Sequence, residues 1–198
     1  GDPAYFNNFV LGKAYSPGDL SVTKTTILDL WTPKPLDIGD RYLGVDVGNI
    51  KHYVIRSEKG IIKIGRFTKN SDLDDIIAIW KPKSGVIDAM PDNTLSRYIV
   101  EKYPFMRMSY FQENANNPQT IVWWGKGVGE EPSNKSGVVY SHRDRILDQH
   151  LVNMIEAKYL IGVETDKEFQ LYIKHYETLR REKVVNNKGI ERYIWAST

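Results

Sequence analysis

Between residues 41 and 89 the hydrophobic period changes from two to helical and back, and this constrains the fold more than any other feature of the chain. Apolar residues first alternate in three runs, about 41–47, 51–57 and 60–67, joined by short turns at Gly48-Asn49 and Lys59-Gly60. Alternation marks strands with a buried face, and connections this short join antiparallel neighbours, so a three-stranded meander is expected. Leu73, Ile76, Ile77 and Trp80 then recur at helical spacing behind a cap at Asn70 or Ser71, and Pro82 ends that helix. Gly85-Val86-Ile87-Asp88-Ala89 is a short apolar strand bounded by Gly85 and Pro91. Asp92 or Asn93 caps a second helix reaching Tyr103, and Met106 to Gln112 forms a further strand. The order β-β-β-α-β-α-β predicts an α/β fold: a mixed sheet of three antiparallel strands followed by parallel ones, flanked by helices. In it the first and fourth strands lie side by side at the centre.

The rest of the chain is less regular. Residues 1–38 are rich in turn formers and read as a connecting segment that packs on the domain through Phe6, Phe9, Leu28 and Trp31, with the domain proper at 39–198. Gln119 to Trp124 reads as a strand whose adjacent Trp123 and Trp124 point to opposite faces, and 125–137 has the composition of a loop. After a strand at Val138 to Tyr140, Ser141 starts a helix with Asp144 in capping-box spacing and a stripe of Leu147, Leu151, Met154 and Ile155. A long polar helix is expected at about 165–183, with Phe169, Tyr172, Ile173 and Tyr176 on one face, and a closing strand at Gly189 to Trp195.

Composition excludes several classes. With 41% hydrophobic and 12% aromatic residues, the 198-residue chain has the material for one substantial core. Its 27 basic and 25 acidic residues nearly cancel, so any polyanion-binding surface has to be local. The absence of cysteine removes disulfides and thiolate metal sites, and no apolar run approaches the ~20 residues of a membrane helix. GDPAYF is no signal peptide, and Gly1 before DPAYF reads as a tag remnant on a piece of a longer, soluble protein.

Two aspartates carry the chemistry. Asp46 stands among Leu43, Val45 and Val47, where a carboxylate costs several kcal/mol unless it is paired or faces a cleft. Asp88 holds the equivalent place on the fourth strand, directly before a turn. If those strands are neighbours the carboxylates converge and repel, and a cation between them relieves the repulsion; hard oxygen ligands select Mg²⁺ or Mn²⁺. In two-metal sites the ions stand about 3.5–4 Å apart and assist in-line phosphoryl displacement, one at the attacking water and one at the leaving oxygen.

The order of elements, with GVDVG at 44–48, VIDAMPD at 86–92, PAYFNNFVLGKAYSPGD at 3–19, HRDRILDQHL at 142–151 and GIERYIW at 189–195, resembles the nuclease domain of a tailed-phage large terminase, a member of the ribonuclease H-like superfamily. The resemblance implies a metal-dependent endonuclease that cuts concatemeric double-stranded DNA at the start and end of genome packaging, with little sequence specificity. It implies two divalent cations, Mg²⁺ or Mn²⁺, with Asp46 bridging both and Asp88 holding one, and cleavage to a 3′-hydroxyl and a 5′-phosphate. The implied partners are DNA, an ATPase domain of the same polypeptide, and the portal and small terminase subunit of the motor. The implied location is the host cytoplasm, away from membranes, with the isolated domain a monomer. Such nucleases commonly add a third carboxylate, expected beyond Thr198 or supplied by Asp148, whereas Asp144 reads as a cap.

Other readings stand beside these. Lys51, His52, His142 and Arg143 are candidate phosphate contacts or ordinary surface residues, and Asp92 reads as a helix cap. GEEPSNKS at 129–136 nearly matches a nucleotide-binding phosphate loop but has Asn134 for the final glycine and Pro132 within the cradle. GVDVG also resembles the first phosphate loop of actin-like sugar kinases and chaperone ATPases, which need a second glycine-rich motif and about twice this length. A non-catalytic DNA-clamping or motor-assembly module is the remaining alternative.

Overall fold

The computed structural model describes residues 22–111, 121–123, 137–185, 187, 189 and 191–197, with the backbone alone at 121–123, 192 and 197. In chain order the elements begin with α1 (Lys24–Asp29), β1 (Tyr42–Asp46), β2 (Lys51–Arg56), β3 (Gly60–Phe67) and α2 (Asn70–Trp80). There follow β4 (Ser84–Asp88), α3 (Asn93–Lys102), β5 (Met106–Phe111), β6 (Ile121–Trp123), β7 (Val138–Ser141) and α4 (Arg143–Ile155). The last are β8 (Leu160–Ile161), α5 (Lys167–Glu177), β9 (Leu179–Val185) and β10 (Glu191–Ser197). Among the described residues no helix is long and apolar enough to cross a membrane.

These elements fall into two compact units. The first, residues 32–143 with 160–164, is built on an eight-stranded sheet of order β6-β7-β5-β4-β1-β2-β3-β8. β1, β2 and β3 form the expected antiparallel meander, and β4 pairs parallel with β1, as do β5 with β4 and β7 with β5. This is the predicted mixed sheet, with β1 and β4 adjacent at its centre. On β1 the pleat buries Leu43 and Val45 and exposes Tyr42, Gly44 and Asp46, so the carboxylate escapes the core that its sequence neighbours build. The core forms where that buried face meets α2 and α3: Leu43, Val45, Ile55 and Ile87 from the sheet pack with Leu73, Ile77, Leu95 and Ile99. Gly85 permits the closeness of the central strands, since a Cβ there would stand 2.8 Å from the Leu43 carbonyl oxygen and 2.5 Å from Met106 Sδ.

The first turn of α2 differs from expectation. The backbone N–H groups of Thr68 and Lys69 donate to the Asp72 carboxylate, at 3.3 and 2.9 Å, so Asp72 serves that turn in place of Asn70 or Ser71. Asp92 caps α3 as expected, its Oδ1 accepting the Leu95 N–H at 3.1 Å.

The second unit comprises 144–159, 165–197 and the described residues up to Trp31. α1 packs against α5, and Ile27, Leu151, Met154, Phe169 and Trp195 are buried. The helix expected to reach residue 183 ends at Glu177, and Leu179–Val185 is instead a strand paired antiparallel with β10. Continuing the stripe of Phe169, Ile173 and Tyr176 would call for an apolar side chain at 180, where Arg180 stands; the pairing with β10 satisfies the backbone instead. Ser141 likewise ends β7 and does not start a helix. Of the residues expected to anchor the N-terminal segment, Phe6 and Phe9 lie outside the described residues, Leu28 is 41% exposed, and Ile27 and Leu30 are buried in its place.

Ile87 is fully buried between the two central helices and the sheet, with Asp88 as its neighbour. Ile87→Ala is expected to cost about 2–5 kcal/mol in chemical denaturation. An unfolding midpoint equal to that of the unsubstituted chain would contradict this packing.

Candidate active site

The site is a consequence of strand register. β1 and β4 align as Tyr42↔Ser84, Leu43↔Gly85, Gly44↔Val86 and Val45↔Ile87, and one further step places Asp46 beside Asp88. Both aspartates end parallel strands, where the carboxyl edge of an open α/β sheet characteristically receives ligands. They lie on the same face, one strand spacing of about 4.8 Å apart in backbone position. The row continues to each side: Asp46 faces His52 of β2, His52 faces Arg66 of β3, and Asp88 faces Ser109 of β5. Arg66, His52, Asp46, Asp88 and Ser109 thus line the sheet face turned away from the α2–α3 core.

Short turns hold both carboxylates. The Gly48 N–H donates to Asp46 Oδ1 at 3.1 Å, and the Met90 N–H donates to Asp88 Oδ1 at 3.3 Å. Ser96 Oγ donates to the Asp88 backbone oxygen at 2.6 Å, tying the end of β4 to α3. Asp46 is exposed and Asp88 half-buried. Burial pushes the Asp88 carboxyl above the ordinary aspartate range, the N–H of Met90 opposes that rise, and the negative charge of Asp46 adds to it. That mutual repulsion is the electrostatic condition a bound cation relieves.

The donor set fits a hard divalent ion. Mg²⁺ is commonly held by one or two carboxylates, with water and substrate phosphate completing its shell, so Asp46 and Asp88 suffice as a protein contribution. Among the described residues no group of three or more His, Asp or Glu side chains gathers as a fuller ligand set. Asp148 has other work: its Oδ1 accepts the Trp195 Nε1–H at 2.8 Å and its Oδ2 accepts from Arg181 at 3.0 Å. Asp144, in the first turn of α4, accepts the Trp195 backbone N–H on Oδ1 at 3.0 Å.

The remaining candidates are dispersed. Lys51 Nζ lies 3.8 Å from Asp92 Oδ2. His142 and Arg143 lie at the junction of β7 and α4, where His142 Nδ1 is buried with no hydrogen-bond partner among the described residues. Ser141, just before them, shares a 2.9 Å hydrogen bond with Ser109. The sequence reading missed Arg66 and Ser109. Each sits at an alternating position of its strand, but only the register shows that those positions align with the aspartates.

This sheet order, antiparallel then parallel strands flanked by helices, is that of a ribonuclease H-like fold. Among solved structures the chain is similar to a point mutant of the nuclease domain of the large terminase subunit gp2 of bacterial virus Sf6 with manganese. The identity is 14% and the TM-score 0.50, covering 88% of each chain. The corresponding mutant from bacteriophage Sf6 with calcium gives 13% identity and a TM-score of 0.51, again over 88% of each chain. No protein-family model matches the chain, and no curated protein matches it. At such identities the likeness is one of fold: the chain has the fold of large terminase nuclease domains.

Two outcomes follow from the electrostatics. A carboxyl raised on folding favours the native state below its unfolded pKa, and that advantage is lost as pH rises through the folded value. In chelator, Asp88→Asn is therefore expected to melt above the unsubstituted chain at pH 7, with the difference shrinking toward pH 4; the opposite order would contradict the repulsion. Asp148→Ala is expected to cost about 1–3 kcal/mol by stranding partners on Arg181 and Trp195, equally with and without Mn²⁺. A loss confined to the Mn²⁺-loaded protein would instead make Asp148 a metal ligand.

Proposed function

We propose that this chain is the nuclease domain of a phage DNA-packaging terminase, hydrolysing phosphodiester bonds of concatemeric double-stranded DNA with the help of two divalent cations, Mg²⁺ or Mn²⁺. The observation that carries this reading is the adjacency of Asp46 and Asp88 on one sheet face of a terminase-nuclease fold. Asp46 and Asp88 would hold the ions, both carboxylates pre-positioned by the N–H groups of Gly48 and Met90. The ions, when bound, supply Lewis-acid activation of water and stabilisation of the leaving oxygen, giving a 3′-hydroxyl and a 5′-phosphate.

The rest of the face has to hold a polyanion beside two acids. Lys51, His142 and Arg143 contact phosphates, so recognition is of the backbone, sequence preference is slight and binding falls steeply with salt. The domain works as a monomer joined to an ATPase domain, with the portal and small terminase subunit as motor partners, in the host cytoplasm.

The test is plasmid cleavage. With Mn²⁺ present the chain is expected to nick and linearise supercoiled plasmid, and Mn²⁺ is expected to raise its melting temperature; Asp46→Ala and Asp88→Ala should lose both responses. Intact plasmid in every case, with DNA still bound, would favour the clamping module. An ATP-dependent rise in melting temperature would favour the actin-like alternative.

A further inference from the structure

The polar row on the sheet is asymmetric about the two aspartates. On the β5 side it passes to Ser109, a buried hydroxyl bonded to Ser141 and carrying no charge. On the β2 side it passes to His52 and then Arg66, directly opposed across strands and both partly exposed. We propose that Arg66, with His52 between it and Asp46, is a phosphate-binding clamp that carries the DNA backbone away from the cleavage site over β2 and β3. This rests on the nuclease reading above.

The geometry suits the task. Opposed residues of antiparallel strands share a face, so His52 lies between the acidic pair and the guanidinium-bearing residue. Arg66 is two strand spacings from Asp46, roughly 10 Å in backbone position, and a nucleic-acid strand advances about 3.4 Å of helix axis per phosphate. A phosphate gripped by Arg66 is therefore at most a few nucleotides from the scissile one. Arginine stays charged at every working pH and forks onto phosphate oxygens with two parallel hydrogen bonds. The imidazole of His52 offers a ring N–H donor whether neutral or charged. Together they give the backbone an attractive path on one side of a pair of carboxylates that would otherwise repel it.

The experiment is duplex binding by the 198-residue chain in chelator across a salt series, paired with steady-state plasmid cleavage in Mn²⁺. Arg66→Gln is expected to weaken binding about tenfold and to reduce the slope of log affinity against log salt by about one. Arg66→Lys should keep the slope and recover part of the affinity, and His52→Gln should weaken binding about threefold. In cleavage, Arg66→Gln should raise KM while kcat stays within about threefold, with the Mn²⁺-induced rise in melting temperature retained. Lys102→Gln, a control on α3 where the lysine pairs with Asp74, should match the unsubstituted chain. Wild-type affinity, slope and KM in both Arg66→Gln and His52→Gln would overturn the clamp while leaving the nuclease reading intact. Binding that depends on Arg66 in a chain that never cuts would support the clamp and remove the nuclease. A chain that neither binds nor cuts would overturn both.

Discussion

The parallel pairing of β1 with β4 is the constraint from which the site follows. A shift of one residue would turn every side chain of one strand to the other face, sending Asp88 into the apolar layer and Ile87 out of it. The register is fixed because Leu43, Val45 and Ile87 must all face α2 and α3. Burying those residues obliges Asp46 and Asp88 to emerge together on the opposite face, at the same end of neighbouring strands. The hydrophobic core thus sets the geometry of the carboxylates, and the energetic cost of holding like charges together is met by packing elsewhere in the unit.

That arrangement explains why two acids recur in otherwise apolar strands. Asp46 is exposed, while Asp88 is half-buried and pushed toward its neutral form by desolvation and by its neighbour's charge. Each is anchored by a backbone N–H, so the fold itself holds the pair in place. Rigid hard-oxygen donors of like charge are suited to divalent cations, and the uncharged Ser109 on one side with Arg66 and His52 on the other gives the face a direction.

Much of this was legible in the sequence because the relevant signals are local. Alternation gave β1 to β3, helical spacing gave α2 and α3, and the order of those elements made β1 and β4 neighbours. What escaped depends on contacts distant along the chain. Leu179–Val185 became a strand because β10 pairs with it, and charged residues such as Arg180 and Glu182 do not announce a strand by composition. Asp144 and Asp148, a predicted cap and a candidate ligand, both bond Trp195 some fifty residues on. Arg66 became part of the row only through two successive cross-strand registers.

The central claim is that Asp46 and Asp88 form one divalent-ion site. Its most direct test is an anomalous difference map at the manganese edge from crystals of the chain grown with Mn²⁺. A peak is expected within coordinating distance of carboxylate oxygens from both Asp46 and Asp88. A map with no peak there at saturating Mn²⁺, or with manganese held by one of them alone, would contradict it.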